Sequence, residues 1–79
     1  MILYVKTGCP WCRMAEDYLD KGGYQYQRVD VRRDPDSLKE LRRVSGQTST
    51  PTLLVGELVL PDFGPDELEE FLSEHKILP

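Results

Sequence analysis

The sequence predicts an α/β fold in the order β-α-β-α-β-β-α, a four-stranded mixed sheet flanked by three helices. Three observations point there. A short β-branched and aromatic run near the start gives way at once to a helical apolar period. The same succession then recurs, and the second helical stretch is followed by two short apolar runs joined by a Gly-Glu step. Strand–helix–strand alternation followed by a hairpin and a helix builds a sheet of mixed direction covered by helices.

Each element has its own signals. Ile2-Leu3-Tyr4-Val5 reads as a buried strand that Gly8 closes. Beyond Cys9-Pro10, the apolar residues Trp11, Met14, Ala15, Tyr18 and Leu19 fall at i, i+3, i+4, i+7 and i+8, one face of a helix. Pro10 suits the first helical position, where its missing N–H costs nothing, so Cys9 falls at the N-cap. Gly22-Gly23 stops the helix. Tyr24 to Val31 alternates in part and predicts a second strand, parallel to the first because a helix crosses between them. Asp34-Pro35-Asp36 combines a cap, an N1 proline and a first-turn acid. Leu38, Leu41 and Val44 are expected to face inward, and Gly46 ends that helix. Thr52–Val55 and Leu58–Leu60 form the hairpin around Gly56-Glu57. Pro61-Asp62-Phe63-Gly64 leads to a last helix start at Pro65-Asp66-Glu67, with Leu68, Phe71 and Leu72 as its buried stripe. With 79 residues and no linker or repeat, residues 1–79 are expected to form one domain.

Composition excludes several functions. The net charge is −4, against the surplus of Lys and Arg on which nonspecific nucleic-acid binding runs. No apolar run reaches the length of a membrane span. MILYVKTG turns polar too soon for a secretory signal, so the cytoplasm is the expected location. The middle of the chain carries Arg28, Arg32, Arg33, Lys39, Arg42 and Arg43, while acids dominate the last third. These cations are either a solvated helix face and loop or a docking patch for an acidic partner protein.

Both cysteines lie in Lys6-Thr7-Gly8-Cys9-Pro10-Trp11-Cys12. A structural disulfide there would close a very small loop and remove little unfolded-state entropy. A zinc site needs four ligands, and His75, the only histidine, lies far off at the end of the last helix. A metal or an iron–sulfur cluster would need a dimer to share it. Redox chemistry needs an exposed thiolate and a second thiol close by. Cys9 at a helix N-cap meets unpaired N–H groups and the positive helix end, with Lys6 adding a cation, and these lower a thiol pKa. Cys12 lies one turn on, more buried and less acidic, suited to resolve the mixed disulfide that Cys9 forms. Trp11 is either a packing residue or a flat apolar surface beside Cys9 for a partner or ligand.

A strand, then Cys-Pro-Trp-Cys opening a helix, resembles the glutaredoxins of the thioredoxin-fold superfamily, whose usual motif is Cys-Pro-Tyr-Cys. Tyr4-Val5-Lys6 is similar to the family's first strand and lysine. Ser45-Gly46-Gln47-Thr48-Ser49-Thr50-Pro51 is similar to its approach to a cis-proline. The resemblance implies a thiol–disulfide oxidoreductase that cycles Cys9–Cys12 between dithiol and disulfide, with no tightly bound cofactor and no metal. It implies that Thr50-Pro51 is cis and that the Thr50 backbone pairs with glutathione or a peptide. Lys6, helped by Gln47, would contact the glycine carboxylate of glutathione. Asp66 would meet the γ-glutamyl amino group, unless it only supports its helix. Glutathione is the expected electron donor to a monomer acting on protein disulfides and glutathione mixed disulfides. One segment departs from the family: Pro61-Asp62 stands where glutathione users carry Gly-Gly. Phe63-Gly64-Pro65-Asp66 looks more like glutaredoxin-like redoxins reduced by thioredoxin reductase, a flavin disulfide reductase, some of which serve ribonucleotide reductase. An iron–sulfur glutaredoxin is the third alternative.

Overall fold

The computed structural model describes residues 1–79 and has the elements β1 (Ile2–Val5), α1 (Pro10–Lys21), β2 (Gln27–Asp30), α2 (Pro35–Ser45), β3 (Thr52–Val55), β4 (Leu58–Pro61) and α3 (Pro65–Glu74). The sheet runs β2-β1-β3-β4. β1 and β2 are parallel, and the β1–β3 and β3–β4 pairs are antiparallel. Register decides what lies together at one end of the sheet. Val5 pairs with Asp30, and Tyr4 pairs with Thr52. The chain leaving β1, the chain leaving β2 and the chain entering β3 therefore meet there. Those are the segments of Cys9, Arg32 and Pro51.

Alternation along β1 divides the core in two. Leu3 and Val5 point to the face covered by α1 and α3, where they pack with Cys12, Ala15, Leu19, Leu53, Phe63 and Leu68. Tyr4 points to the opposite face, against Leu41 of α2 and Val31. A fully buried leucine of this kind contributes about 1.5–3 kcal/mol relative to leaving it exposed. All three helices begin with a proline in the first turn. Asp34 caps α2 by accepting the Asp36 N–H at 3.0 Å, and Gly46, at φ 75°, ends that helix in the left-handed region.

Three sequence expectations need correction. The inward face of α1 is Cys12, Ala15 and Leu19, while Trp11 and Met14 are 55% and 47% exposed. Spacings of three and four hold for that set as well, and a free cysteine is among the most readily buried side chains. The second strand spans only Gln27–Asp30, because β1 offers pairing partners only from Ile2 onward. Tyr24 and Tyr26 lie outside it and use their hydroxyls instead, donating to the Ile77 carbonyl (2.7 Å) and to Asp20 (3.0 Å). Leu38 does not turn fully inward and is 38% exposed on the first turns of α2; Leu41 is fully buried.

Candidate active site

Cys9 is the N-cap of α1, with extended backbone (φ −90°, ψ 111°). Pro10 follows in the first helical turn, so the first free amides of the helix come after it. The Cys12 N–H donates to Cys9 Sγ at 3.3 Å. Cys9 is half-buried, and Cys12 is buried within the α1–α3 core. Both cysteines are free thiols.

The wall opposite Cys9 is the segment entering β3. The Thr50–Pro51 peptide is cis. The Thr50 hydroxyl lies 3.9 Å from Cys9 Sγ and donates to it, and the Cys9 thiol faces the Thr50 carbonyl at 3.8 Å. The Pro51 carbonyl accepts the Asp62 N–H at 2.9 Å, which ties the start of the α3 segment to the same wall.

Electrostatics separate the two thiols. Burial pushes Cys9 up, but hydrogen bonds from Cys12, Thr50 and the backbone N–H groups of Cys12 and Trp11 outweigh it and hold the thiol below its ordinary value. Those hydrogen bonds, rather than the Lys6 charge expected from the sequence, supply the lowering. Burial pushes Cys12 up, and its contact with Cys9 adds to the rise. Cys9 is thus the more acidic of the two sulfurs and Cys12 the less acidic, the order that disulfide exchange requires of an attacking and a resolving thiol.

The loop between β1 and Cys9 is pinned across 23 residues of sequence. The Thr7 hydroxyl donates to Asp30 Oδ2, and Asp30 Oδ1 accepts the Arg32 N–H at 2.9 Å. The Arg32 guanidinium returns to the Thr7 carbonyl at 3.1 Å. The Thr7 and Arg32 bonds hold the Asp30 carboxyl below its usual range. Sequence reading missed Thr7 and Asp30. Nothing local marks them, because the bond exists only once β1 and β2 align.

The remaining predicted residues distribute around Cys9. Lys6 lines a cleft of about 390 Å³ with Cys9, Cys12, Arg13, Glu16 and Arg28. The Gln47 amide is engaged internally: its nitrogen donates to Ser45 Oγ (2.7 Å) and Thr52 Oγ1 (3.2 Å), and its oxygen accepts the Ser49 N–H (2.5 Å). Trp11 borders a smaller cleft of about 170 Å³ with Asp62, Phe63, Gly64 and Glu67, its ring against Gly64. Asp66 is exposed in the first turn of α3 and borders neither cleft. The cap bond of that helix comes from Glu67, whose carboxylate accepts the Gly64 N–H at 3.1 Å. Cys9, Thr50 and Pro51 are therefore together, with Lys6 and Trp11 on separate flanks, and Gln47 and Asp66 turned to other partners or to solvent. His75 lies at the far end of α3, its ring 4.8 Å from that of Phe71. No helix is long and apolar enough to cross a membrane.

Comparison with known proteins agrees with this geometry. Residues 1–59 match the glutaredoxin family model. An uncharacterized glutaredoxin-like 8.6 kDa protein in the rubredoxin operon of Clostridium pasteurianum is 24% identical over 91% of this chain and 96% of its own length. A glutaredoxin of Pseudomonas aeruginosa is 30% identical over 72% of this chain and 68% of its own. Among solved structures, a thioredoxin-like protein superposes with a TM-score of 0.82 at 25% identity, over 90% of this chain and 97% of that one. The glutaredoxin-like NrdH-redoxin of Escherichia coli, solved to explain its thioredoxin-like activity profile, gives 0.74 at 23% identity, over 87% and 90% of the two chains. A buckwheat glutaredoxin–glutathione complex gives 0.73 at 23% identity, over 96% and 70%. With the family model matched across both cysteines and the cis-proline, the chain belongs to the glutaredoxin family, thiol–disulfide oxidoreductases built on the thioredoxin fold.

Proposed function

We propose that residues 1–79 act as one monomeric redox domain in the cytoplasm, reducing protein disulfides and glutathione mixed disulfides through a Cys9–Cys12 cycle with electrons from glutathione. The observation that carries this reading is the half-buried Cys9 thiol at the N-cap of α1, facing the Thr50–Pro51 wall, with the buried Cys12 one turn on; hydrogen bonds lower the first thiol and burial raises the second.

The cycle follows from the two thiols. The Cys9 thiolate attacks one sulfur of the substrate disulfide, forms a mixed disulfide and releases the other sulfur as a thiolate. A substrate backbone laid along Thr50 would hold the attacked sulfur over Cys9. Cys12 then gives up its proton and attacks Cys9 Sγ. The Cys9–Cys12 disulfide forms, and the substrate leaves fully reduced with two electrons gained. Two glutathione molecules return those electrons. On a glutathione mixed disulfide, glutathione itself can replace Cys12 as the resolving thiol. Lys6 supports the glutathione reading, because it shares a cleft with Cys9 and can meet a carboxylate there.

A second reading, reduction by a flavin disulfide reductase such as thioredoxin reductase, is favoured by two specific observations. The Gln47 amide already has its partners. The opposite flank presents two carboxylates, Asp62 and Glu67, beside Trp11, which would repel the α-carboxylate at the γ-glutamyl end of a tripeptide whose glycine carboxylate lies at Lys6. A coupled NADPH assay separates the readings. Turnover with glutathione plus glutathione reductase supports glutathione as donor. Turnover with thioredoxin reductase alone, and none with glutathione, overturns it.

A further inference from the structure

We propose that the cleft between β2 and the start of α1 is a docking groove for an acidic segment of a disulfide-containing protein substrate. The proposal rests on the disulfide-reductase reading and names the substrate class for it.

The groove reaches both thiols and is lined by Lys6, Arg13 and Arg28 against a single carboxylate, Glu16. The whole chain, by contrast, carries a net charge of −4. Ion pairing does not consume the local surplus. Three ion pairs form within 4 Å: Arg28–Glu16 (2.7 Å), Arg33–Asp30 (3.9 Å) and Arg43–Glu40. Lys6, Arg13 and Arg32 have no carboxylate partner. Lys6 also lines a neighbouring cleft of about 350 Å³ shared with Arg32. A positive strip therefore runs from Arg13 across the Cys9 groove, through Lys6, to Arg32.

The fold also sorts the basic middle of the sequence. Arg43 pairs along α2 and Arg33 pairs with Asp30, whereas Arg28 and Arg32 come to the rim of the redox site. There they are joined by Lys6 and Arg13 from a distant part of the chain. Arg13 and Arg32 are exposed and paired with no carboxylate; Arg32 donates one N–H to the Thr7 carbonyl at 3.1 Å, which leaves the rest of its fork for a partner. Guanidinium groups bind carboxylates as a planar fork, and a groove of one sign raises the encounter rate with a partner of the other.

The docked chemistry is the cycle already given. Cys9 forms the mixed disulfide, Cys12 closes the intramolecular disulfide, and the acidic substrate leaves with two thiols. The groove acts on encounter and leaves the sulfur chemistry unchanged.

Two synthetic peptide disulfides test this, identical around the cystine but flanked by Asp and Glu in one and by Asn and Gln in the other. Measure kcat/KM for each with the native chain, Arg13→Gln and Arg13→Glu, at low and at high salt. The native chain is expected to prefer the acidic peptide by about tenfold at low ionic strength, with the preference shrinking as salt rises. Arg13→Gln should weaken that preference and Arg13→Glu abolish it, while the neutral peptide is reduced at the native rate. Equal kcat/KM for the two peptides with the native chain overturns the groove. So does equal slowing of both peptides by Arg13→Glu, which reports a change at Cys9 rather than in docking. Reduction of neither peptide by the native chain overturns the underlying reductase reading.

Discussion

Gly64→Ala probes the contact between the two flanking segments of the site. Gly64 is the N-cap of α3 at φ −104° and ψ 179°, a conformation open to any residue, so alanine meets no backbone strain. A Cβ built there lies 3.1 Å from Trp11 Cζ3 and 3.5 Å from Cε3. Carbon pairs settle at about 3.5–4.0 Å, so the ring must retreat by a few tenths of an ångström. Trp11 is 55% exposed, so little packing opposes that retreat. Replacing glycine by alanine at an N-cap costs up to about 1 kcal/mol. Reduced freedom of the unfolded chain returns about 0.4–1 kcal/mol. The two nearly cancel, and the expected Tm shift is within about 4 °C, given about 4–8 °C per kcal/mol for a domain of this size. Trp11 is the only tryptophan, so its fluorescence reads the ring directly and should shift in emission or intensity. A thermal melt followed by circular dichroism supplies the other half of the assay. A Tm loss beyond about 8 °C would mean that the ring is pinned rather than free to give. An unchanged emission spectrum would mean that the ring does not rest on Gly64 at all.

Cys9→Ser should abolish disulfide reduction, whereas Cys12→Ser should retain deglutathionylation with added glutathione and lose protein-disulfide reduction; insulin and a glutathionylated peptide serve as the two substrates. Limited alkylation by iodoacetamide, mapped by mass spectrometry, should modify Cys9 well before Cys12 at neutral pH. Thr7→Ala removes the leading hydrogen bond that lowers the Asp30 carboxyl. A carboxyl held low in the fold stabilises it above the ordinary carboxylate range and loses that contribution as pH falls through its folded-state value. The variant should therefore be less stable than the native chain at neutral pH and match it in strong acid, as read by urea unfolding at both. Leu53→Ala, fully buried in β3 between β1 and β4, should cost about 2–5 kcal/mol in the same assay.

The order of elements was legible because each carries a local signature. Proline after a capping residue starts α1 and α2, glycine ends α2, and the apolar stripe of α3 holds at Leu68, Phe71 and Leu72. The redox pair was legible for the same reason, since N-cap and i+3 are positions within one helix turn. The thioredoxin-fold resemblance added the opposing proline. What the sequence hid depends on register. Thr7 reaches Asp30 only because Val5 pairs with Asp30, and Gln47 turns inward only because Ser45 and Thr52 converge on it. The rotation of α1 was misread because tryptophan counts as apolar in a periodicity while cysteine adjoining a proline draws attention as chemistry. In the fold the cysteine is the core residue and the tryptophan the surface one.

The distribution of charge around Cys9 bears on more than one of these questions. Lys6, Arg13 and Arg28 border it on the side of β2, and Asp62 and Glu67 line the cleft beyond Trp11 on the side of α3. A substrate that crosses the thiolate from one flank to the other meets opposite signs at its two ends. Orientation is therefore selected before any sulfur is attacked, since reversing the substrate sets like charges together at both ends. A glutathione molecule lying along the Thr50–Pro51 wall gains from the basic flank and meets the carboxylates with its far end, where only its amino group is matched in sign. A protein segment has no such restriction, because its acidic and basic residues can be spaced to suit. The same polarity thus narrows the set of protein partners, and it does so through residues that lie outside the Cys-Pro-Trp-Cys motif.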